Sequence, residues 1–183
     1  MTVREYLTWA EGQPNGRYEL VDGVPHRISP ERNVHVLVKG AVFVAFRAAI
    51  RSAGLNFVVL TDGPTVVIHE HQSREPDLVV QAAGEFDWQA VTVDSPIVLV
   101  EVTSPSTIRT DTADKLIEYF SLASVQHYLL VHPHERKVVH HRRVDGGKIE
   151  TSILADGLVD LDPPGFSVDV SSFFEDLPPA RSN

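Results

Sequence analysis

The sequence contains no cysteine. This absence excludes disulfide bonds, zinc sites made of thiolates and catalysis by a thiol nucleophile, and it leaves the redox compartment open. Basic residues are scarce as well, because 16 lysines and arginines stand against 25 acids, for a formal net charge of −9. A protein that coats nucleic acid non-specifically neutralises phosphates with lysine and arginine, so the composition argues against that class. A catalytic site built from carboxylates remains compatible with this charge.

Long apolar runs are also missing from the sequence. The N-terminal residues do not form an apolar signal segment, and the longest apolar stretch, residues 34–50, is interrupted by Lys39 and Arg47. A membrane span needs about 20 predominantly apolar residues. We therefore expect a protein that does not cross a membrane and that is located in the cytoplasm.

The length and composition predict one α/β domain. The chain has 183 residues, of which 43% are apolar, and this is enough for one hydrophobic core. No internal repeat or linker divides it. We expect the domain to cover residues 1–177, with a disordered tail over 178–183, because the end of the chain carries acids and prolines with little periodicity. Four residues in the last part could still pack on the domain: Phe166, Val168, Phe173 and Phe174.

Two short signals near the N-terminus predict a helix and a β-hairpin. Thr2 and Glu5 have the spacing of a capping box, which predicts a helix over residues 3–11. Asp22-Gly23 is a turn signal of the kind that joins two hairpin strands. The two strands are predicted over residues 17–21 and 24–28.

Residues 33–53 are rich in Val, Ala and Phe. Their β-branched content alone would favour a strand, but their length and the following Gly54 favour a long helix. Nearly every face of this helix is apolar. We therefore expect it to be buried in part against the domain and in part against a second copy of the chain, in a symmetric homodimer.

The middle of the chain predicts the strands of a central sheet and one further helix. Apolar, β-branched runs separated by Gly, Pro and charged residues indicate the strands. The run over residues 97–100 is continuous rather than alternating, which is typical of a strand covered on both faces. The following helix begins at Thr110 or Asp111 and continues through Ala123. The strands are predicted over residues 57–60, 65–69, 77–81, 97–103, 127–131, 137–143 and 148–154.

Two carboxylates and a lysine form the candidate site. Asp77 begins one predicted strand, and Glu101 ends the buried run of the neighbouring strand. Two acids delivered to one point by adjacent strands form an oxygen-rich pocket that suits Mg²⁺, which can polarise a phosphoryl oxygen and activate water. Lys115 on the next helix is the candidate ammonium that orients this water. Asp111 shares a helix face with it at a spacing of four residues and could hold the lysine or join the outer shell of the metal.

Each of these residues also has a plainer interpretation. Asp77 could end a turn, Glu101 could cap a loop, and Lys115 could be an exposed helical lysine, but an acid that finishes an apolar strand is costly to bury without a partner. Glu19 is either a site acid or a solvated strand residue, and His35 is either a capping or core residue or a functional one. Two histidine pairs lack a third placed ligand, so we interpret them as incidental rather than as a zinc site: His69/His71 and His132/His134.

Several segments occur together in the order and spacing of a known family. They are YELVDG at 18–23, His35, PDLVV at 76–80, VEVTSPST at 100–107, then Asp111, Lys115, Tyr119 and YLLV at 128–131. This combination resembles the Uma-two family, a restriction-endonuclease-like branch of the PD-(D/E)xK nuclease superfamily. The resemblance implies a mixed central β-sheet flanked by helices, with the N-terminal hairpin and the long apolar helix. It also implies DNA as the substrate and Mg²⁺ or Mn²⁺ as the cofactor.

The sequence departs from that superfamily at one position. A lysine usually lies two residues after the strand glutamate, but Thr103 stands there. The resemblance suggests that Lys115 replaces it from the helix. Three hypotheses follow. The leading one is an endonuclease in which Asp77 and Glu101 bind Mg²⁺ while Lys115 assists and Glu19 is a further catalytic acid. The alternatives are a catalytically inactive, homodimeric binding or structural module of the same fold, and a zinc hydrolase that uses the histidines.

Overall fold

The computed structural model of the chain describes residues 1–13, 16–62, 64–103 and 111–179. The helices are α1 (Val3–Glu11), α2 (Asn33–Ser52) and α3 (Asp111–Ser121). The strands are β1 (Tyr18–Val21), β2 (Val24–Arg27), β3 (Phe57–Thr61), β4 (Thr65–His69), β5 (Gln72–Arg74), β6 (Leu78–Ala82), β7 (Thr92–Val93), β8 (Val98–Val102), β9 (His127–His132), β10 (Lys137–Val144), β11 (Lys148–Leu154), β12 (Leu158–Leu161) and β13 (Phe166–Asp169). Every helix and strand predicted from the sequence is present. The strands β5, β7, β12 and β13 were not predicted.

The strands form a mixed central sheet and two smaller sheets. The six-stranded central sheet has the order β11-β10-β9-β8-β6-β3, in which β8 and β9 are parallel and the other neighbours are antiparallel. This confirms the predicted fold class. The prediction of one sheet was incomplete, because β4 belongs to a second sheet with the order β2-β1-β5-β4-β7. Its partners β5 and β7 are only three and two residues long, so they leave no readable pattern.

Local signals determine the N-terminal elements. Thr2 accepts a hydrogen bond from the backbone N–H of Glu5, whose carboxylate accepts one from Thr2 in return, so the capping box of α1 is complete. Asp22 and Gly23 have φ angles of 49° and 74°. Both lie in the left-handed region, which a two-residue hairpin turn requires and which this dipeptide favours.

Helix α2 packs one stripe of side chains into the core. Val38, Val42, Phe46 and Ile50 recur every fourth residue and are buried against the central sheet and the C-terminal hairpin. The 20-residue helix is long and apolar enough to cross a membrane by length and composition alone, with a mean hydropathy of 1.5. The sequence argument that this segment is too short was therefore wrong. The buried stripe ties the helix to the domain.

The C-terminal part is more ordered than the sequence pattern indicated. β12 and β13 form a two-stranded antiparallel sheet, and a short 3-10 segment, Val170–Phe174, follows. Phe166 packs edge-on against Phe46 of α2 at 5.6 Å between ring centroids, and Phe173 lies at 6.2 Å from the same ring. The four residues proposed to pack here are buried. The expected disordered tail falls largely on residues 180–183, which lie outside the described residues, and so does the segment 104–110.

Candidate active site

Two neighbouring strands of the central sheet bring Asp77 and Glu101 together. β6 and β8 are antiparallel, and their register places these two acids opposite one another at one end of the pair. Side chains alternate between the faces of a strand, so Glu101 shares a face with Leu99, which packs in the core cluster that contains Tyr119 of α3. The carboxylate of Glu101 therefore lies on the face of the sheet that α3 covers. Asp77 lies just before β6, and its carboxylate contacts His35 and Lys39 of α2.

Helix α3 places two hydrogen-bond donors on Glu101. Lys115 Nζ lies 3.0 Å from Glu101 Oε1, and the Tyr119 hydroxyl donates to the same oxygen at 2.7 Å. Burial raises the pKa of Glu101, and although Lys115 opposes this, the charges of Asp77 and Glu19 contribute further, so that the pKa reaches about 7. In the described part of the chain no hydrogen bond reaches Oε2. The raised pKa indicates that the two donors do not fully offset the burial of the carboxylate and the charges of its acidic neighbours.

Asp77 is held by groups from three directions. Its Oδ2 accepts a hydrogen bond from the backbone N–H of Val102 at 2.7 Å and lies 3.1 Å from His35 Nε2. Its Oδ1 lies 3.5 Å from Lys39 Nζ. Burial would raise the pKa of Asp77, but the hydrogen bonds and charges of His35, Val102 and Lys39 outweigh it and leave the pKa below its ordinary value. Asp77 is therefore an anion in a fixed orientation.

Glu19 lies at the same site rather than in solvent. Its Oε1 accepts a hydrogen bond from the backbone N–H of Glu75 at 3.1 Å and lies 3.5 Å from Lys115 Nζ. Its Oε2 accepts from Arg74 at 3.1 Å. Arg74 is buried and also forms a two-pronged pair with Glu118 at 2.6 and 2.9 Å. Strands β1 and β5 thus position an acid and a guanidinium around the lysine of α3.

A second group of potential metal ligands adjoins the first. Glu31, His35 and Asp77 each offer one ligand atom, and these atoms lie within 4.8 Å of one another. Lys39 of α2 enters this group, with its Nζ 2.7 Å from Glu31 and 2.6 Å from Asp62. Asp77 therefore belongs to two neighbouring acidic pockets.

The acids open into a cavity of about 450 Å³. Glu19, Glu31, Asp77, Glu101 and Lys115 line it. Its other lining residues include the following cations and histidines: Arg17, His26, Arg27, Arg32 and His134. An acidic centre with basic surroundings suits a substrate that carries phosphate together with a divalent ion.

The structure separates the remaining candidate residues. His35 contacts Asp77, whereas His69 ends β4 and His71 lies in the turn before β5, where it contacts the carbonyl of Met1. The pair His132/His134 is divided, because His132 contacts Thr103 at 2.9 Å while His134 lines the cavity. Within the described ranges, neither pair belongs to a group of ligands with metal-site spacing. The zinc hypothesis gains no support from them.

Thr103 and Lys115 are the two positions that bear on the lysine expected beside Glu101. Thr103 stands where a lysine is usual in the superfamily. Its Oγ1 forms a hydrogen bond with His132 Nδ1, and its side chain contributes no charge. Lys115 reaches Glu101 from α3, as the resemblance suggested. The side chain of Asp111 lies outside the described residues, so its suggested contact with Lys115 stays a prediction. The catalytic and metal-binding roles of Asp77, Glu101, Lys115 and Glu19 also stay predictions.

Sequence reasoning missed two cations and one acid at the site. Lys39 was noted only as an interruption of an apolar run, although a charged residue at the centre of an apolar helix is itself a signal for a buried partner. Arg74 lies in a three-residue strand, and Glu31 precedes α2 without any pattern. The partners of Arg74 are distant in the sequence, so no local signal could identify that residue. Glu31 lies eight residues before its partner Lys39, but in a segment without regular structure.

Comparisons with known proteins agree with this architecture. A family model described as "Uma2: Putative restriction endonuclease" matches residues 3–172. A crystal structure described as "a putative nuclease belonging to DUF820 from Anabaena variabilis" matches with a TM-score of 0.76 and 16% sequence identity, over 95% of this chain and 97% of that chain. At this identity the likeness shows the fold alone. None of the curated proteins matches the chain.

Proposed function

This chain belongs to the Uma2 family, and on that premise we propose that it is an endonuclease that hydrolyses phosphodiester bonds of DNA with a divalent metal ion. One observation carries the proposal. Asp77 and Glu101 lie opposite one another at the same end of two adjacent strands, and Lys115 Nζ lies 3.0 Å from Glu101. This combination of two carboxylates and an ammonium suits phosphoryl transfer chemistry.

The residues at the site fit a hard cation. Asp77 and Glu101 supply oxygen ligands, which Mg²⁺ and Mn²⁺ prefer. The backbone N–H of Val102 fixes one oxygen of Asp77, and the only described contact of the other oxygen is Lys39 at 3.5 Å. When bound, the ion would polarise a phosphoryl oxygen and lower the pKa of water. Burial is the main reason that the pKa of Glu101 is raised to about 7, and the ion would offset the charges of Asp77 and Glu19, which add to that effect.

Lys115, with Glu19 and Arg74 behind it, would position the attacking water and the phosphoryl group. Hydrolysis forms a bond between water oxygen and phosphorus and breaks one P–O ester bond, so negative charge builds on the phosphoryl oxygens. The Lys115 ammonium, held between Glu101 and Glu19 at 3.0 and 3.5 Å, is placed to stabilise that charge and to orient water. Arg74 fixes Glu19 and so limits the positions that Lys115 can adopt. Glu19 would hold the Lys115 ammonium in place and would accept hydrogen bonds from water in the cavity.

The surroundings of the cavity favour a nucleic acid. Arg27 and Arg32 are exposed and line it beside Arg17, so phosphates on either side of the cleaved bond would meet cations. The formal net charge of −9 makes this local arrangement necessary, because the protein as a whole repels nucleic acid. We propose DNA as the substrate and the cytoplasm as the place of action.

Mn²⁺ binding tests the proposed metal site. We expect isothermal titration to give a saturable Mn²⁺ site in the wild type, and Glu101→Gln to weaken the affinity by at least about 100-fold because a charged ligand is lost. Glu70→Gln serves as the matched control, since the side chain of Glu70 is 75% exposed outside the site. Equal affinity in all three proteins would contradict the assignment of Glu101 as a ligand.

We also propose that the protein forms a homodimer through the outer face of α2. Three apolar side chains on this helix remain exposed in the single chain: Val36 at 51%, Leu37 at 49% and Val44 at 65%. An apolar helix face of this kind is buried when two copies pack about a twofold axis. Analytical ultracentrifugation should give a dimer for the wild type and a monomer for Val44→Glu. Ile153→Glu, on the exposed side of β11, should leave the dimer intact, and a monomeric wild type would contradict the proposal.

A further inference from the structure

Lys39 lies where an acidic pocket would otherwise accept a cation. Its side chain comes from the N-terminal half of α2 and is only 4% exposed. Its ammonium lies 2.8 and 2.7 Å from the two oxygens of Glu31, 2.6 Å from Asp62 and 3.5 Å from Asp77. An ammonium with several charge-assisted contacts at these distances is a fixed positive charge rather than a mobile surface lysine.

The ligands around Lys39 would suit a metal ion in its absence. Glu31, His35 and Asp77 already have one ligand atom each within 4.8 Å of the others. Carboxylate oxygens suit Mn²⁺, and an imidazole can complete such a set. Asp77 is shared with the pocket that contains Glu101, so ions in the two pockets would be close neighbours. Many nucleases and phosphatases use two ions about 3.5–4 Å apart in this way.

The two lysines differ in how closely acids surround them. Lys39 Nζ lies 2.8 and 2.7 Å from the two Glu31 oxygens and 2.6 Å from Asp62, whereas Lys115 Nζ lies 3.0 Å from Glu101 and 3.5 Å from Glu19. Each pocket also has an arginine, because Arg17 lies 3.1 Å from Asp62 and Arg74 lies 3.1 Å from Glu19. A divalent ion in the Glu31 pocket would therefore have to displace an ammonium that three carboxylate oxygens hold, and would meet repulsion from it.

We propose that Lys39 takes the place of a second metal ion, so that the protein binds one divalent ion, between Asp77 and Glu101, and carries its second cation as a side chain. This inference rests on the proposed metal-dependent function. It goes beyond that function by assigning a stoichiometry and by giving Lys39 a positioning role, in which it orients Asp77 and neutralises Glu31. It also implies that loss of the ammonium creates a second metal site.

The stoichiometry of Mn²⁺ binding tests the proposal. We expect one ion per chain in the wild type and two in Lys39→Met, by isothermal titration and by native mass spectrometry. Two Mn²⁺ ions that share Asp77 should also give an exchange-coupled electron paramagnetic resonance spectrum in Lys39→Met, which an ion bound elsewhere on the surface would not give. Mn²⁺ should raise the melting temperature of Lys39→Met more than that of the wild type, because a second ion adds its binding free energy to the folded state.

A double variant controls for the loss of a buried charge. Glu31→Gln with Lys39→Met removes one acid and one base together, which keeps the net charge of the pocket and removes a ligand of the second ion. It should bind one ion, as the wild type does. Two ions in the wild type, or one ion in a folded Lys39→Met, would overturn the inference alone. A wild type that binds no ion would overturn the proposed metal-dependent function and the inference with it.

Discussion

Asp77→Asn is expected to lower the rate of DNA cleavage by about 1,000-fold, or about 4 kcal/mol of transition-state stabilisation. The substitution keeps the size of the side chain and an oxygen that can still accept the Val102 N–H, which donates to Asp77 at 2.7 Å. It removes the negative charge on which the affinity for a divalent ion depends. The initial rate of nicking of supercoiled plasmid, measured at saturating Mg²⁺, gives the effect.

Asp145→Asn is the matched control for this variant. Asp145 is exposed in the turn between β10 and β11, at the opposite end of the central sheet from Glu101, and asparagine is equally suited to a turn. We expect its cleavage rate to equal that of the wild type. A similar loss in both variants would mean that the effect has no connection with the carboxylate pair.

Lys115→Met is expected to lower kcat by about 100-fold to 1,000-fold, the range found when one preorganised donor to a developing charge is removed. Lys115 is buried and lies 3.0 Å from Glu101, so methionine can occupy the same space without the charge. Its Mn²⁺ affinity should remain equal to that of the wild type or increase, since a cation beside the proposed ion has been removed. Cleavage rates and titrations on the same preparation provide both values.

Comparing the effect of Lys115→Met on kcat with its effect on Mn²⁺ affinity identifies the role of Lys115. A lysine that served only to hold Glu101 in place would affect metal binding and cleavage together. Lys148→Met, at an exposed position at the start of β11, controls for the removal of a lysine and should change neither quantity. Unchanged kcat in a folded Lys115→Met would show that Lys115 is structural, and the place of the lysine missing at Thr103 would then have to be sought elsewhere.

Local physical chemistry explains why much of the fold could be predicted. The capping box of Thr2 and Glu5 and the turn Asp22-Gly23 act over three residues or fewer, so the sequence contains the whole cause of each structure. The approach of Asp77 to Glu101 could also be anticipated. Each acid lies at the end of a strongly apolar run, and the two runs form neighbouring strands of the sheet.

Long-range contacts explain what could not be predicted. Lys39 interacts with Asp62 and Asp77, and Arg74 interacts with Glu19 and Glu118, all of them far away in the sequence. Such pairs are visible only once the sheet topology is known. Strand β5 illustrates the same limit: its three residues are polar in the sequence, yet all are buried between β1 and β4, and the side chains of Gln72 and Arg74 bond to Glu118 of α3.

The C-terminal hairpin shows how a weak pattern can conceal a regular structure. β12 and β13 are four residues long, and each buries only alternate side chains. Two buried residues per strand cannot be distinguished from a loop by periodicity. Packing against α2, with Phe46 between Phe166 and Phe173, provides the stabilisation that the pattern alone does not reveal.

Cleavage of supercoiled plasmid by the wild type and by Asp77→Asn, purified identically and incubated with Mg²⁺, Mn²⁺ or EDTA, tests the central claim most directly. The account predicts nicked and linear products from the wild type with either metal, none with EDTA, and at most trace cleavage from the variant. Equal cleavage by both proteins, or cleavage that persists in EDTA, would contradict a metal-dependent site at Asp77. No cleavage by a wild type that also fails to bind Mn²⁺ would favour an inactive binding module of the same fold.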